Sequence, residues 1–184
     1  MKRYIKSMEE KYLLSSLELV EKVFTEYDSP EEGRTVRRLV EEIRSKKYYL
    51  PELELIMVSD EDEVIGYAMF SRFHIEGRHE NELLLLSPVA VKTELQRQHI
   101  SKELLEYGFE KAKNSAFKAI LVEGNPQNYN SRGFQPSYKF GIEAGPSIKL
   151  PHPDCLMVKE LEQGAADKMK GLVDYSFYEV LCEE

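Results

Sequence analysis

The residues best spaced for chemistry lie between an expected strand at 82–91 and an expected helix at 99–114. The loop that joins them reads Gln96-Arg97-Gln98-His99-Ile100-Ser101-Lys102. The first turn of a helix carries backbone N–H groups with no intrahelical acceptor, and its peptide dipoles add positive potential there. Phosphate groups bind such ends. Other chemistries lack their residues. The histidines, His74, His79, His99 and His152, are scattered, and no His/Cys/Asp cluster has metal-ligand spacing, so no metal is expected. None of Ser87, Ser101 and Ser131 has the full glycine pattern of a nucleophile elbow. Cys155 and Cys182 make neither a disulfide framework nor a zinc site.

The elements that must position this loop follow from periodicity. Residues 2–8 suit a short strand. Leu13, Leu17, Val20, Phe24 and Tyr27 then recur on one helical stripe. A second helix opens with Ser29 as cap, Pro30 in the first position and Glu32 three residues after the cap. Its buried face is Val36, Leu39, Val40 and Ile43. Runs at 53–58 and 64–75 flank an acidic turn and predict a hairpin. The run 82–91 is mostly apolar, as a central strand is. Pro88 interrupts it; with no N–H to give, proline fits there only at a bulge or break. Ile100, Leu104, Leu105, Gly108, Phe109 and Ala112 share one face of the helix after the loop. Residues 118–123 form another short buried strand, 127–132 a helical turn, and 155–161 and 171–178 two further strands. Short turns predict antiparallel pairing, and the strand–helix–strand unit at 82–123 predicts one parallel crossover.

Bulk properties narrow the class. The chain has 184 residues, 42% hydrophobic and 32% charged, which suits one soluble domain over 1–184. Its core is expected at about 1–140, with strands in 141–184 completing the sheet. No apolar run is long enough to span a bilayer and no signal peptide is visible. A cytoplasmic location without membrane partners is the default. The net charge of −8 argues against nucleic-acid binding, which needs a basic face, and favours a cationic substrate.

The loop resembles the pyrophosphate loop of the GCN5-related N-acetyltransferases, whose pattern is Gln/Arg-x-x-Gly-x-Gly/Ala. Gln96 matches its first position, while His99 and Ser101 stand where the glycines usually stand. The surrounding chain carries the resemblance further. Ser87-Pro88-Val89-Ala90-Val91 is similar to the family's Gly-Pro-Leu-Ala-Val strand, and Val64-Ile65-Gly66-Tyr67 to its Ile-Gly-aromatic strand. Tyr129-Asn130-Ser131-Arg132-Gly133-Phe134 fits its Tyr-x-x-x-Gly-Phe motif. These stand in family order at family spacing. Gly124-Asn125-Pro126 and Pro151-His152-Pro153-Asp154 resemble a bacterial single-domain subgroup.

The resemblance implies an α/β (α+β) acyl-CoA N-acyltransferase fold: a mostly antiparallel sheet flanked by helices, with splayed central strands. It implies transfer of an acetyl group from acetyl-CoA, as cosubstrate, directly to a primary amine of a small molecule or peptide. The backbone of Val89, Ala90 and Val91 is then the pantetheine contact, and Gln96, Arg97, Gln98, His99, Ile100, Ser101 and Lys102 the phosphate contact. Arg97 and Lys102 are candidate phosphate partners in a loop without glycines. Tyr129 is the candidate general acid, since a phenol of pKa near ~10 suits donation to a thiolate. Glu123 is the candidate base, with Glu82 beside it as a second strand-end carboxylate. The alternatives are a non-catalytic acyl-CoA-binding or sensing protein on the same fold, and a protein-interaction module that has lost the cofactor. A homodimer is the default assembly.

Overall fold

The computed structural model describes residues 2–182. A seven-stranded sheet runs through its centre in the order β1-β2-β3-β4-β5-β8-β6. β1 (Arg3–Ser7), β2 (Glu54–Ser59), β3 (Val64–Arg72) and β4 (Leu83–Val91) pair antiparallel in succession. In β2, Ile56 and Val58 pack on one face while Leu55 and Met57 pack on the other. Both faces are covered, so the strand reads as a continuous apolar run.

α1 (Leu13–Tyr27) and α2 (Pro30–Ser45) cover the first face. Ser29 caps α2 as its sequence predicts, its Oγ accepting from the Glu32 N–H at 3.1 Å. The two helices cross closely at Gly33, where a Cβ would meet Thr25 Oγ1 at 2.0 Å. α3 (Ile100–Asn114) covers the other face with Ile100, Leu104, Leu105, Phe109 and Ala112. Tyr27, placed on the buried stripe of α1 by periodicity, is instead 87% exposed. It ends the helix, past the last residue that reaches the sheet.

One charged group lies under α1 and α2. Glu54 is fully buried. Its Oε1 accepts from Arg44 at 2.6 and 2.9 Å and from the Tyr67 hydroxyl at 2.5 Å, and its Oε2 accepts from Tyr49. Arg44 also reaches Ser16 Oγ at 2.8 Å, which ties both helices to β2.

β5 (Ala119–Glu123) lies parallel to β4, but the ladder covers only Leu83↔Ala119, Leu84↔Ile120 and Leu85↔Leu121. Beyond Leu85 the strands diverge. On its other edge β4 stays paired with β3 through a bulge: Phe70 faces Leu86 and Ala68 faces Val89, so β4 carries one extra residue there. Pro88 occupies that bulge and needs no ladder partner.

β8 (Leu156–Glu160) pairs with β5, and the two residues of β6 (Gln135–Pro136) pair with β8. The other C-terminal strands do not complete this sheet. β7 (Ile142–Ala144) and β9 (Gly171–Val173) pair with each other in a separate two-stranded sheet. The strand expected at 171–178 therefore stops at Val173, and the aromatic residues after it fold back over the α1–α2 side. Among the described residues no helix is long and apolar enough to cross a membrane.

Candidate active site

A cleft of about 1480 Å³ opens where β4 leaves β5. One end is the loop before α3. Arg97 and His99 both adopt left-handed backbone angles, φ 62° and 64°. This is the conformation glycine takes most easily, and here two side-chain-bearing residues hold it. The loop turns as a glycine-rich phosphate loop would, and α3 opens toward the cleft with its first helical bond running from Glu103 N–H to the His99 carbonyl. Arg3 of β1 braces the loop: its Nη2 donates to the Gln98 carbonyl at 2.9 Å, and its Nε donates to Glu103 at 3.1 Å.

The middle of the cleft lies between the diverging strands. Glu123, the last residue of β5, faces it. Burial raises the Glu123 carboxyl above the usual carboxylate range, and the Tyr175 hydroxyl donating to it offsets part of the rise. α4 (Pro126–Tyr129) brings Tyr129 opposite. Asn125 caps this turn by accepting from the Gln127 N–H at 2.9 Å. The Tyr129 ring lies across Gly124, where a Cβ would sit 2.7 Å from Cε2, and packs edge-on to Phe134 at 5.5 Å. Any larger residue at 124 displaces the ring. The Tyr129 hydroxyl makes no hydrogen bond among the described residues. Burial pushes its pKa up, and the charge of Arg132 pulls it partly back.

The far end is built by α1, α2 and the C-terminal tail. Phe24, Thr35 and Val36 form one wall, and Ile148 and Tyr175 another. Glu32 stands there as a half-buried carboxylate without an ion-pair partner among the described residues. Burial, and then Asp28 beside it, raise its pKa.

Most residues singled out by sequence meet in this cleft: Val89, Val91, Gln96, Arg97, His99, Ile100, Ser101, Lys102, Glu123 and Tyr129 all line it. Ala90 and Gln98 do not. The Ala90 side chain is buried in the core, and the Gln98 carbonyl is taken by Arg3. The Ile100 side chain also packs into the core, which leaves its backbone for the cleft. Glu82 lies elsewhere, bonded to Lys118 at 2.7 Å and His79 at 3.0 Å; these partners hold its carboxyl below the usual range. His74 and His79 also lie away from the cleft and are half-buried, His74 against Phe73 and Phe177. Among the described residues no His, Cys, Asp and Glu side chains gather as a metal site. Periodicity gave no notice of Glu32, Lys159, Tyr175 or Arg132 in the cleft. Three come from segments distant in sequence, and Arg132 occupies a variable position of its motif.

Residues 17–141 match the Acetyltransferase (GNAT) family. The chain belongs to this family. Its relatives include the uncharacterized N-acetyltransferase YhbS of Escherichia coli K12, 25% identical over 141 residues that cover 75% of this chain and 79% of YhbS. The crystal structure of E. coli YhbS in complex with CoA superposes with a TM-score of 0.83 at 21% identity, covering 95% of this chain and 90% of that one. A Brucella melitensis GNAT family acetyltransferase in complex with acetyl-CoA gives 0.64 at 23% identity over 73% and 83% of the two chains. The GNAT fold is thus present with its central strands parted. The cleft suits CoA on its own geometry. The left-handed turns at Arg97 and His99 form a backbone cradle, and the edge of β4 past Leu85 has no neighbouring strand to pair with.

Proposed function

We propose that this protein transfers an acetyl group from acetyl-CoA to a primary amine. The observation that carries this reading is the single cleft that joins the α3 loop, the β4–β5 gap and the α1–α2 wall, with Glu123 and the unbonded Tyr129 hydroxyl at its middle. Phosphates would rest on the backbone N–H groups of 97–101, with Arg97 and Lys102 as cationic neighbours. The pantetheine would pair with the β5-facing edge of Val89 and Val91, where Gln96 Nε2 donates to the Val91 carbonyl at 3.3 Å in the free protein. Bound there, acetyl-CoA supplies an activated acetyl carbonyl.

The chain's own groups then handle two protons. Most of an amine population is charged at neutral pH, so Glu123 accepts the proton that frees the nitrogen lone pair. Its raised pKa strengthens it as a base. Tyr129 donates its proton to the departing sulfur. A raised pKa keeps that proton in place until sulfur charge develops. The acceptor enters from the α1–α2 end, where Glu32 and the net charge of −8 favour a cationic amine. Both a small molecule and a peptide terminus fit that description.

The test is release of free CoA thiol across a panel of amines: polyamines, amino sugars, amino acids and lysine peptides. Turnover of at least one, lost in Tyr129→Phe, is the expected result. CoA binding by calorimetry with no thiol release across the panel would instead support an acyl-CoA sensor.

A further inference from the structure

A cation with no carboxylate partner among the described residues stands between the loop and Tyr129. Arg132 lies in the 3-10 turn Asn130–Arg132, which ends at left-handed Gly133 with φ 85°. Its Nη2 donates to Ser101 Oγ at 3.0 Å, in the first turn of α3. Its Cζ lies 5.9 Å from the centre of the Tyr129 ring. Its backbone is held separately, since Lys159 Nζ donates to the Arg132 carbonyl at 2.8 Å. No carboxylate pairs with the guanidinium among the described residues. The side chain is therefore fixed by one neutral hydroxyl at one end and one phenol ring at the other.

A phosphate seated on the N–H groups of the α3 first turn comes within contact of the Ser101 hydroxyl. It thereby comes within reach of the guanidinium already resting on that hydroxyl, and a charge-assisted bond displaces a neutral one. We propose that Arg132 is a positioning residue that links phosphate occupancy to the Tyr129 proton. In the free protein its charge acts on the phenol. With phosphate bound, that charge is neutralised and the phenol holds its proton more firmly. The inference rests on the reading of 96–102 as a phosphate cradle and of Tyr129 as the acid.

The electrostatics agree with the geometry. Burial raises the phenol, and Arg132 is the one charge that acts against it. Glu123 at the end of β5, Tyr175 in the tail, Lys102 on α3 and Lys159 on β8 are other titratable groups that line the same cleft.

The test is ¹³C NMR of protein labelled at the tyrosine carbon that bears the hydroxyl, with the Tyr129 signal assigned through Tyr129→Phe. Titrations are run free and with saturating CoA or adenosine 3′,5′-bisphosphate. Without ligand, Arg132→Ala should raise the Tyr129 midpoint by about 0.5–1 pH unit, and Arg132→Lys should leave it near wild type. With ligand, the wild-type midpoint should rise until the difference from Arg132→Ala has largely closed. CoA affinity in Arg132→Ala should fall about tenfold by calorimetry. A free-state midpoint unmoved by Arg132→Ala, or a difference that persists unchanged with ligand, overturns the proposal. Wild-type protein that binds neither ligand overturns the cradle itself. Wild-type protein that binds both, with a Tyr129 midpoint indifferent to Arg132, overturns only the link.

Discussion

Two polar clusters sit at the sheet and meet their needs in opposite ways. Around Glu54 every charge has a partner: both carboxylate oxygens accept, and Arg44 spreads its donors over Glu54, Ser16 and the Leu13 carbonyl. Around Glu123 and Tyr129 the groups are half met. Glu123, open to solvent in the cleft, has a single tyrosine donor, and the Tyr129 hydroxyl has no partner among the described residues. Buried polar groups are costly unless satisfied. The first cluster holds α1 and α2 on the sheet; the second keeps its bonding capacity for a ligand. The difference teaches where to look for chemistry in this fold: not at the most polar buried cluster, but at the one left incomplete.

Substitutions can break this contrast. The largest effect is expected from Arg44→Met, which strands Glu54 without its ion pair at 0% exposure. Loss of one partner of a buried pair costs about 3–5 kcal/mol, measurable as a lower urea midpoint, while CoA affinity of the folded protein stays within about threefold. An unchanged midpoint would erase the distinction between the clusters. Next is Tyr129→Phe. Turnover should fall at least ~100-fold, with CoA affinity and melting temperature nearly unchanged; normal turnover would return Tyr129 to a packing role.

Glu123→Gln should cost less, about tenfold in kcat/KM at neutral pH, because a carboxylate open to solvent leaves room for water to relay the proton. Its clearer mark is in the pH profile. The wild type should lose activity as pH falls through a value above the ordinary carboxylate range, and the variant should lack that limb. Stability has the opposite sense. A carboxyl whose folded pKa is raised binds its proton more tightly folded than unfolded, so its contribution favours folding at low pH and is lost as pH rises through the folded value. Glu123→Gln should thus be no less stable than wild type at pH 7, read from urea midpoints. The smallest effect belongs to His99→Gly. It removes a left-handed penalty of about 1 kcal/mol and adds a similar unfolded-state entropy, so stability and CoA affinity should both stay within threefold. A tenfold tighter complex would show that the imidazole crowds the cradle.

Much of this was legible in the residues. The cap of α2 and the apolar stripes of α2 and α3 allow little else, and Pro88 marked the irregularity in β4 beside the cleft. The parting of β4 from β5 was implied by resemblance, and the bulge lies just past Leu85, the last residue of β4 paired with β5. What stayed hidden has a common reason. Glu32, Lys159 and Tyr175 reach the cleft from α2, β8 and the tail, and no local pattern reports a meeting of distant segments. The tail misled for a related reason: 171–178 is rich in strand-forming residues, yet Tyr175, Phe177 and Tyr178 are used to pack against α2 and β3 rather than to form a ladder. The loop itself was readable by letter only in Gln96. Its backbone angles supply the rest.

The brace from Arg3 to Gln98 and Glu103 bears on the order in which the molecule is assembled. During synthesis β1 leaves the ribosome well before the loop it will hold, and it waits while about 100 residues follow. Contacts so distant along the chain close late. The brace on the ligand cradle is therefore completed only once α3 has been made, and a nascent chain stalled before α3 lacks a working end.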